Sequence, residues 1–218
     1  MKKPSLILAA LLGATVLPAL QGCFPVVATG VAVGVMSAHD RRSTGVQTDD
    51  ETSEWKARNR IPAQYASTSN VSFISYNRAL LITGQVPSED AKAAIGQAAG
   101  QVEGVKTVYN ELVVGPVSSL SSRSTDAYVT SKVKARLVDA KQVSANHIKV
   151  DTEQSTVYLM GIVSEREAKA AIQIARTTDG VRKVVNLFEV LSDAEIQRLD
   201  ALLAGSKTAP RPAPVESR

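Results

Sequence analysis

Cysteine is almost missing from this 218-residue chain: Cys23 is the only one. That excludes an internal disulfide and a cysteine metal cluster. There are only two histidines, His39 and His147, which argues against a histidine-rich metal site. Aromatic residues make up 4% of a chain that is 44% hydrophobic, so its cores must be built from Val, Leu, Ile and Ala. No nucleophile elbow, phosphate-binding loop, dinucleotide-binding glycine pattern or His-Glu-x-x-His segment occurs, and the chain reads as a non-enzyme that needs no cofactor or metal. The net charge is also small. A net charge of +4 and a pI near 9.2 are too mild to indicate nucleic acid, though they suit an anionic surface.

What is present begins with a targeting segment at residues 1–22. Lys2 and Lys3 precede an apolar run from Leu6 onward, which Pro18 and its short length keep from reading as a membrane-spanning helix. The run ends in Leu20-Gln21-Gly22-Cys23, which resembles a bacterial lipobox. In such signals the cysteine becomes the acylated first residue of the mature chain; an exported protein with a chance cysteine is the alternative. Acyl chains contribute about 0.8 kcal/mol per buried CH₂, so two or three chains anchor a protein durably. Phe24, rather than aspartate, follows the cysteine, and by resemblance to sorting signals this favours the outer membrane. Residues 24–36 are apolar but too short to span a bilayer, and 37–53 read as a polar linker, so 23–53 form a lipidated N-terminus and linker.

The rest is a duplication. Ala79–Ile95 (ALLITGQVPSEDAKAAI) matches Thr156–Ile172 (TVYLMGIVSEREAKAAI), and Gly104–Asn110 (GVKTVYN) matches Gly180–Asn186 (GVRKVVN). Lys56–Arg58 recurs as Lys134–Arg136, 78 positions on. Each copy reads αββαβ. In copy two the spacing predicts a helix from Asp126, as N-cap, to about Lys141, with Val129, Val133 and Leu137 inward. Strands follow at 147–152 and 156–163, then a helix from the Ser164-x-x-Glu167 capping box to Thr178, and a third strand after Gly180. Copy one repeats this with strands 71–76 and 79–86 and a helix at 88–102, but Pro62 predicts a short or ragged first helix. Gly84 and Gly161, within strands, suggest a bulge or close helix packing. Each unit of roughly 65–70 residues makes a two-layer α+β sandwich. The boundaries are 54–115, 124–191 and, for a final helix and proline-rich tail, 192–218, with Gly205 as the helix stop.

A lipobox, a linker (Arg42–Asp50, RSTGVQTDD) and two αββαβ units with an internal glycine and a Gly-Val-x-x-Val strand resemble the dual-BON-domain lipoproteins of the outer membrane. The resemblance runs from about Leu20 to Val190. It implies two tandem BON-type sandwiches on a lipid anchor facing the periplasm, anionic phospholipid bound through the second domain, and a role in envelope integrity.

The residues suited to such binding lie on the helix Asp126–Lys141. Tyr128, Lys132, Ala135 and Asp139 form an exposed strip beside Arg136, with Lys134 near. An aromatic beside cations suits head-group depth, each cation contributing about 1 kcal/mol at an anionic surface. In the family the matching helix carries the lipid contact. The plain alternative is a solvated helix face. Asp151 and Glu153 read as solvated beside a hairpin turn, and His147 as structural. Strand 157–163 is apolar on both faces, so copy one, segment 24–36, the C-terminal helix or a partner must cover its sheet. If a partner does, the protein is instead a protein-interaction or peptidoglycan-associated module attached only through Cys23.

Overall fold

A computed structural model describes residues 40–207. The lipobox with Cys23, the 24–36 segment and the tail after Lys207 lie outside them. Among the described residues no helix is long and apolar enough to cross a membrane.

The first unit consists of α1 (Thr44–Arg58), a single turn α2 (Ala63–Ala66), β1 (Asn70–Tyr76), β2 (Ala79–Val86), α3 (Glu89–Gly100) and a third strand in two pieces, β3 (Thr107–Asn110) and β4 (Val113–Val114). The second unit repeats it with α4 (Leu120–Asp139), β5 (Ile148–Glu153), β6 (Thr156–Ser164), α5 (Glu165–Arg176) and an unbroken β7 (Lys183–Leu191). A last helix, α6 (Asp193–Lys207), follows, running past Gly205 instead of stopping there. In each sheet the hairpin strands are antiparallel and the third strand joins the middle one in parallel, giving orders β1-β2-β3 and β5-β6-β7. Each unit is therefore an αββαβ two-layer α+β sandwich.

Two expectations about the first helices fail for one reason: their buried faces are partly polar. In copy one the helix is neither short nor ragged. It runs for 15 residues, capped by Ser43, and starts inside the segment read as a linker. Its buried residues are Asp50, Ser53 and Ala57, which leave no apolar stripe to find. Pro62 lies beyond the C-cap Asn59 and breaks nothing. In copy two Asp126 is not the N-cap. Ser119 caps the helix, and Asp126 is buried within it. Both aspartates hold the hairpin turns, whose residues Asn77-Arg78 and Gln154-Ser155 have positive φ. Asp50 accepts from the backbone N–H groups of Asn77 and Arg78 at 2.8 Å, and Asp126 from those of Gln154 and Ser155 at 3.0 and 2.9 Å.

Gly84 and Gly161 mark neither a bulge nor helix packing. They face Val71 and Ile148 across the hairpins, where a Cβ would collide with the carbonyls of Asn70 and His147. Gly84 also has φ +116°.

Two cores lie between helices and sheets. One gathers Ala57, Phe73, Leu80, Ile82, Val86 and Ile95; the other gathers Val129, Val133, Leu137, Val157, Leu159 and Val163. The opposite faces of the two sheets meet in a third core of Tyr76, Leu81, Tyr158, Met160 and Ile162, closed by Ile196 of α6, with Leu199 beside it. The doubly apolar strand β6 is thus explained: copy one and the C-terminal helix cover its second face. Burying such a side chain contributes about 1.5–3 kcal/mol, so the two units are held as one body.

The seam is polar at one end. Asp151 accepts from Thr83 Oγ1, Glu153 from Gln85 Nε2, and Lys149 donates to Glu54 at 2.7 Å and to the Ser75 carbonyl at 3.1 Å. Asp151 and Glu153 are therefore not solvated turn residues. Burial raises both pKa values despite these bonds.

The supposed linker supplies further seam contacts. Arg41, 5% exposed, makes a bidentate pair with Glu167 at 2.8 and 3.1 Å, donates to the Ile162 carbonyl at 2.9 Å, and reaches Asp200 of α6 at 3.0 Å. Arg42 pairs with Asp50 at 2.7 Å and stacks its guanidinium 4.0 Å from the Tyr76 ring centroid. The two arginines bind the segment before α1 to both domains.

Candidate functional site

Helix α4 is fixed from beneath by Val129, Val133 and Leu137, all at or below 1% exposed. That rotation turns Tyr128 outward, 65% exposed. One turn on, the Lys132 ammonium sits 4.9 Å from the Tyr128 ring centroid, within cation–π range, and 2.9 Å from Asp179 Oδ2. The hydrogen bond from Lys132 holds the Asp179 carboxyl below its ordinary value. Ala135 and Asp139 are exposed further along the same helix.

Arg136 has a different task. It donates to the Ile174 carbonyl at 2.9 Å and to the hydroxyls of Thr178 and Thr177 at 2.8 and 3.0 Å. It closes the C-terminal end of α5, where orphan carbonyls and the helix dipole favour a cation. The expected strip is therefore brought together, but its two cations are unequal. Lys132 is held by one exposed carboxylate, a type of pair contributing about 0–1 kcal/mol. Arg136 is committed to the fold.

The first domain shows what belongs to the shared architecture. Lys56 pairs with Glu103 at 3.1 Å, and Arg60 donates to the Gln101 carbonyl at 2.7 Å. These residues stand 76 positions before Lys132, Asp179, Arg136 and Thr177. The helices therefore correspond at 76, not at the 78 suggested by the Lys-Ala-Arg match. On that register Thr52 stands where the second domain has Tyr128. The lysine tether and the arginine closure are common to both copies, and the exposed tyrosine is not. Sequence reading missed Asp179 because it lies 47 residues from Lys132; the matching Glu103 is its only signal.

The BON domain family matches twice, at residues 49–116 and 125–192. The chain belongs to the BON-domain family. Over 186 residues it is 42% identical to the outer membrane lipoprotein DolP of Haemophilus influenzae, an alignment covering 84% of this chain and 95% of that one. It is 33% identical over 151 residues to a 21 kDa hemolysin of Actinobacillus pleuropneumoniae, covering 68% of this chain and 78% of the relative. It is 32% identical over 123 residues to the osmotically-inducible protein Y of Escherichia coli, covering 55% and 61%. This is a dual-BON lipoprotein of the outer membrane, similar to DolP. Its two BON domains carry the same backbone devices, and only the second sets an aromatic–cation pair on its first helix.

Proposed function

We propose that this BON lipoprotein is non-enzymatic, is anchored through an acylated Cys23, and engages anionic phospholipid with its second domain in support of envelope integrity. The observation that carries the reading is the Tyr128–Lys132 pair on α4, an outward ring with a weakly held ammonium over it. At a membrane the ring sits at head-group depth, and Lys132 leaves Asp179 for a lipid phosphate. Arg136 assists by fixing the end of α5 against α4, and Ala135 leaves room for close approach to the surface. Asp139 faces the same side and opposes an anionic surface, which limits the affinity. The anchor already supplies attachment, so this second, weaker contact acts on where the anchored protein dwells. The sheet face that invited a protein partner is occupied by the neighbouring domain and α6.

Vesicle binding by residues 24–218, which lack the acyl anchor, tests this. Phosphatidylglycerol vesicles should be preferred over phosphatidylcholine vesicles. Tyr128→Ala with Lys132→Ala should weaken binding by at least about fivefold, the share of one interfacial cation at about 1 kcal/mol. Equal binding to both vesicles, or an unchanged double variant, ends the proposal.

A further inference from the structure

We infer that the lipid phosphates are met chiefly by a cation cleft formed by Arg176, Arg182 and Lys183, beside the Tyr128 helix. This rests on the phospholipid-binding reading above and identifies the groups that deliver its charge selectivity.

The helix strip by itself is poor in available positive charge. Arg136 is spent on carbonyl and hydroxyl acceptors, which leaves Lys132, weakly held by Asp179, as the strip's one exchangeable cation. The loop between α5 and β7 supplies what is missing. It runs along α4: Thr177 and Thr178 accept from Arg136, Asp179 holds Lys132, and a Cβ on Gly180 would press on Val129 and stand 3.6 Å from the Lys132 ammonium. Arg176 enters this loop and Arg182 and Lys183 leave it. With Val181 and Val184 they line a shallow cleft of about 230 Å³. All three cations are exposed, and their side chains make no hydrogen bond or ion pair among the described residues.

The duplicated loop in the first domain shows that the fold does not require them. Its backbone is the same. Gly104 and Gly180 both have φ +92°. Lys106 and Thr107 donate to the Arg78 carbonyl at 2.8 and 3.4 Å, as Arg182 and Lys183 do to the Ser155 carbonyl at 2.9 and 3.4 Å. The side chains differ. Positions 176, 182 and 183 correspond to Gly100, Lys106 and Thr107. The second loop carries three cations and one acid, Asp179, where the first carries one cation and one acid, Glu103. Arg176 also lies at the C-terminal end of α5, where it helps offset the helix dipole. No such duty falls on Arg182 or Lys183. Guanidinium forks bind phosphate oxygens bidentately and an ammonium binds as a point charge. Free cations of both kinds, beside an exposed ring, match the phosphodiesters of an anionic bilayer.

The test compares R176Q/R182Q/K183Q with R58Q/K106Q/R198Q, which removes the same charge from exposed positions elsewhere, in the 24–218 protein at about 0.1 M salt. Circular dichroism verifies folding of both, and Arg182→Lys keeps the charge. On phosphatidylglycerol vesicles the cleft variant should lose about 100-fold in affinity, about fivefold per cation. The control should lose far less, because charges beyond about 10 Å are screened at this salt. Arg182→Lys should bind nearly as the parent does. If the parent prefers phosphatidylglycerol and Tyr128→Ala weakens it, but the cleft variant binds as the parent does or both triple variants lose equally, this inference falls and the broader reading stands. If the parent shows no preference, both fall. Inorganic phosphate at millimolar concentration should not compete; if it displaces the vesicles, the cleft is a site for soluble phosphate and not for a membrane.

Discussion

In the first BON domain the Asp50 carboxylate accepts from two turn amides, from Ser75 Oγ at 2.9 Å, and from Arg42. In the second, Asp126 accepts from two turn amides alone. The two copies solve the same local problem, tying the first helix to the hairpin, but the first adds a tether to the incoming chain. The outward faces differ in the opposite sense. The second domain presents Tyr128 and three loop cations, whereas the first has Thr52, Gly100 and Thr107 at the corresponding positions and keeps only Lys106. The first copy adds a tether through Arg42 to the incoming segment, and the second carries the face proposed to meet lipid. In the first copy Trp55 is exposed too, at 67%, but it corresponds to Ser131, away from the Tyr128 position.

The strongest challenge to this division is at Arg41. Its guanidinium joins β6, the capping box of α5 and α6 from a position just before the first domain. Arg41→Ala leaves Glu167 buried without its cation. Burial pushes the Glu167 carboxyl up, but hydrogen bonds from Arg41 and the Ser164 amide outweigh it and hold the pKa below its ordinary value. Losing one partner of a buried pair costs about 3–5 kcal/mol. Urea unfolding followed by far-ultraviolet circular dichroism should show a loss of that size. A loss below about 1 kcal/mol, the worth of an exposed pair, would mean that Arg41 does not join the domains.

Much of this is legible in the sequence. The fold class, the duplication, the capping box at Ser164 and the inward stripe of α4 followed from period and spacing, because apolar residues and caps act locally. The strip around Tyr128 was legible for the same reason: once Val129, Val133 and Leu137 face inward, its direction is fixed. What escaped was the polar interior. Asp50, Asp126, Arg41 and Glu167 are charged residues with buried positions, and a charge reads as solvent-facing until its partner is known. Apart from Arg42, which is 8 residues from Asp50, those partners lie at separations of 25 to 29 residues for the aspartates and 126 for Arg41 and Glu167. The loop cations escaped because Arg176 and Arg182 lie on opposite sides of a turn.

The next contrast is between the two aspartates. Asp50→Ala strips acceptors from two amides and a serine hydroxyl and leaves Arg42 short of a partner, whereas Asp126→Ala strips two amides only. With buried donors costing about 1–3 kcal/mol when left unmade, Asp50→Ala should cost about 3 kcal/mol and Asp126→Ala about 2. Denaturant midpoints at constant slope check both. If Asp126→Ala proves the more costly, the extra tether of the first domain adds nothing.

The smallest effect concerns the seam, where carboxylates of opposite behaviour lie at its two ends. Burial raises the pKa of Asp151 and of Glu153, so on lowering the pH the folded state takes up their protons before the unfolded chain does. In the window from their raised values down to their ordinary ones near 3.8 and 4.5, these groups add stability as the pH falls. Glu167 behaves in the reverse way: its stabilisation is present above 4.5 and lost as the pH drops through its lowered value. His147, lowered by burial and then by Arg41, also costs stability as the pH falls below 6.5, because the unfolded chain is protonated first. The signs separate the ends by mutation. Asp151→Asn removes a desolvated charge but keeps an acceptor for Thr83, so it should raise the melting temperature by a degree or two at pH 7, where a gain of well under 1 kcal/mol suffices. That gain should shrink as the pH falls through the raised pKa and the parent becomes protonated. Glu167→Gln should do the opposite, destabilising most at pH 7 and least at pH 4. If Asp151→Asn instead destabilises most at pH 7, the charged carboxylate is favourably held by Lys134 and Lys149, and the polar end of the seam is an ion-pair contact like the Arg41 end.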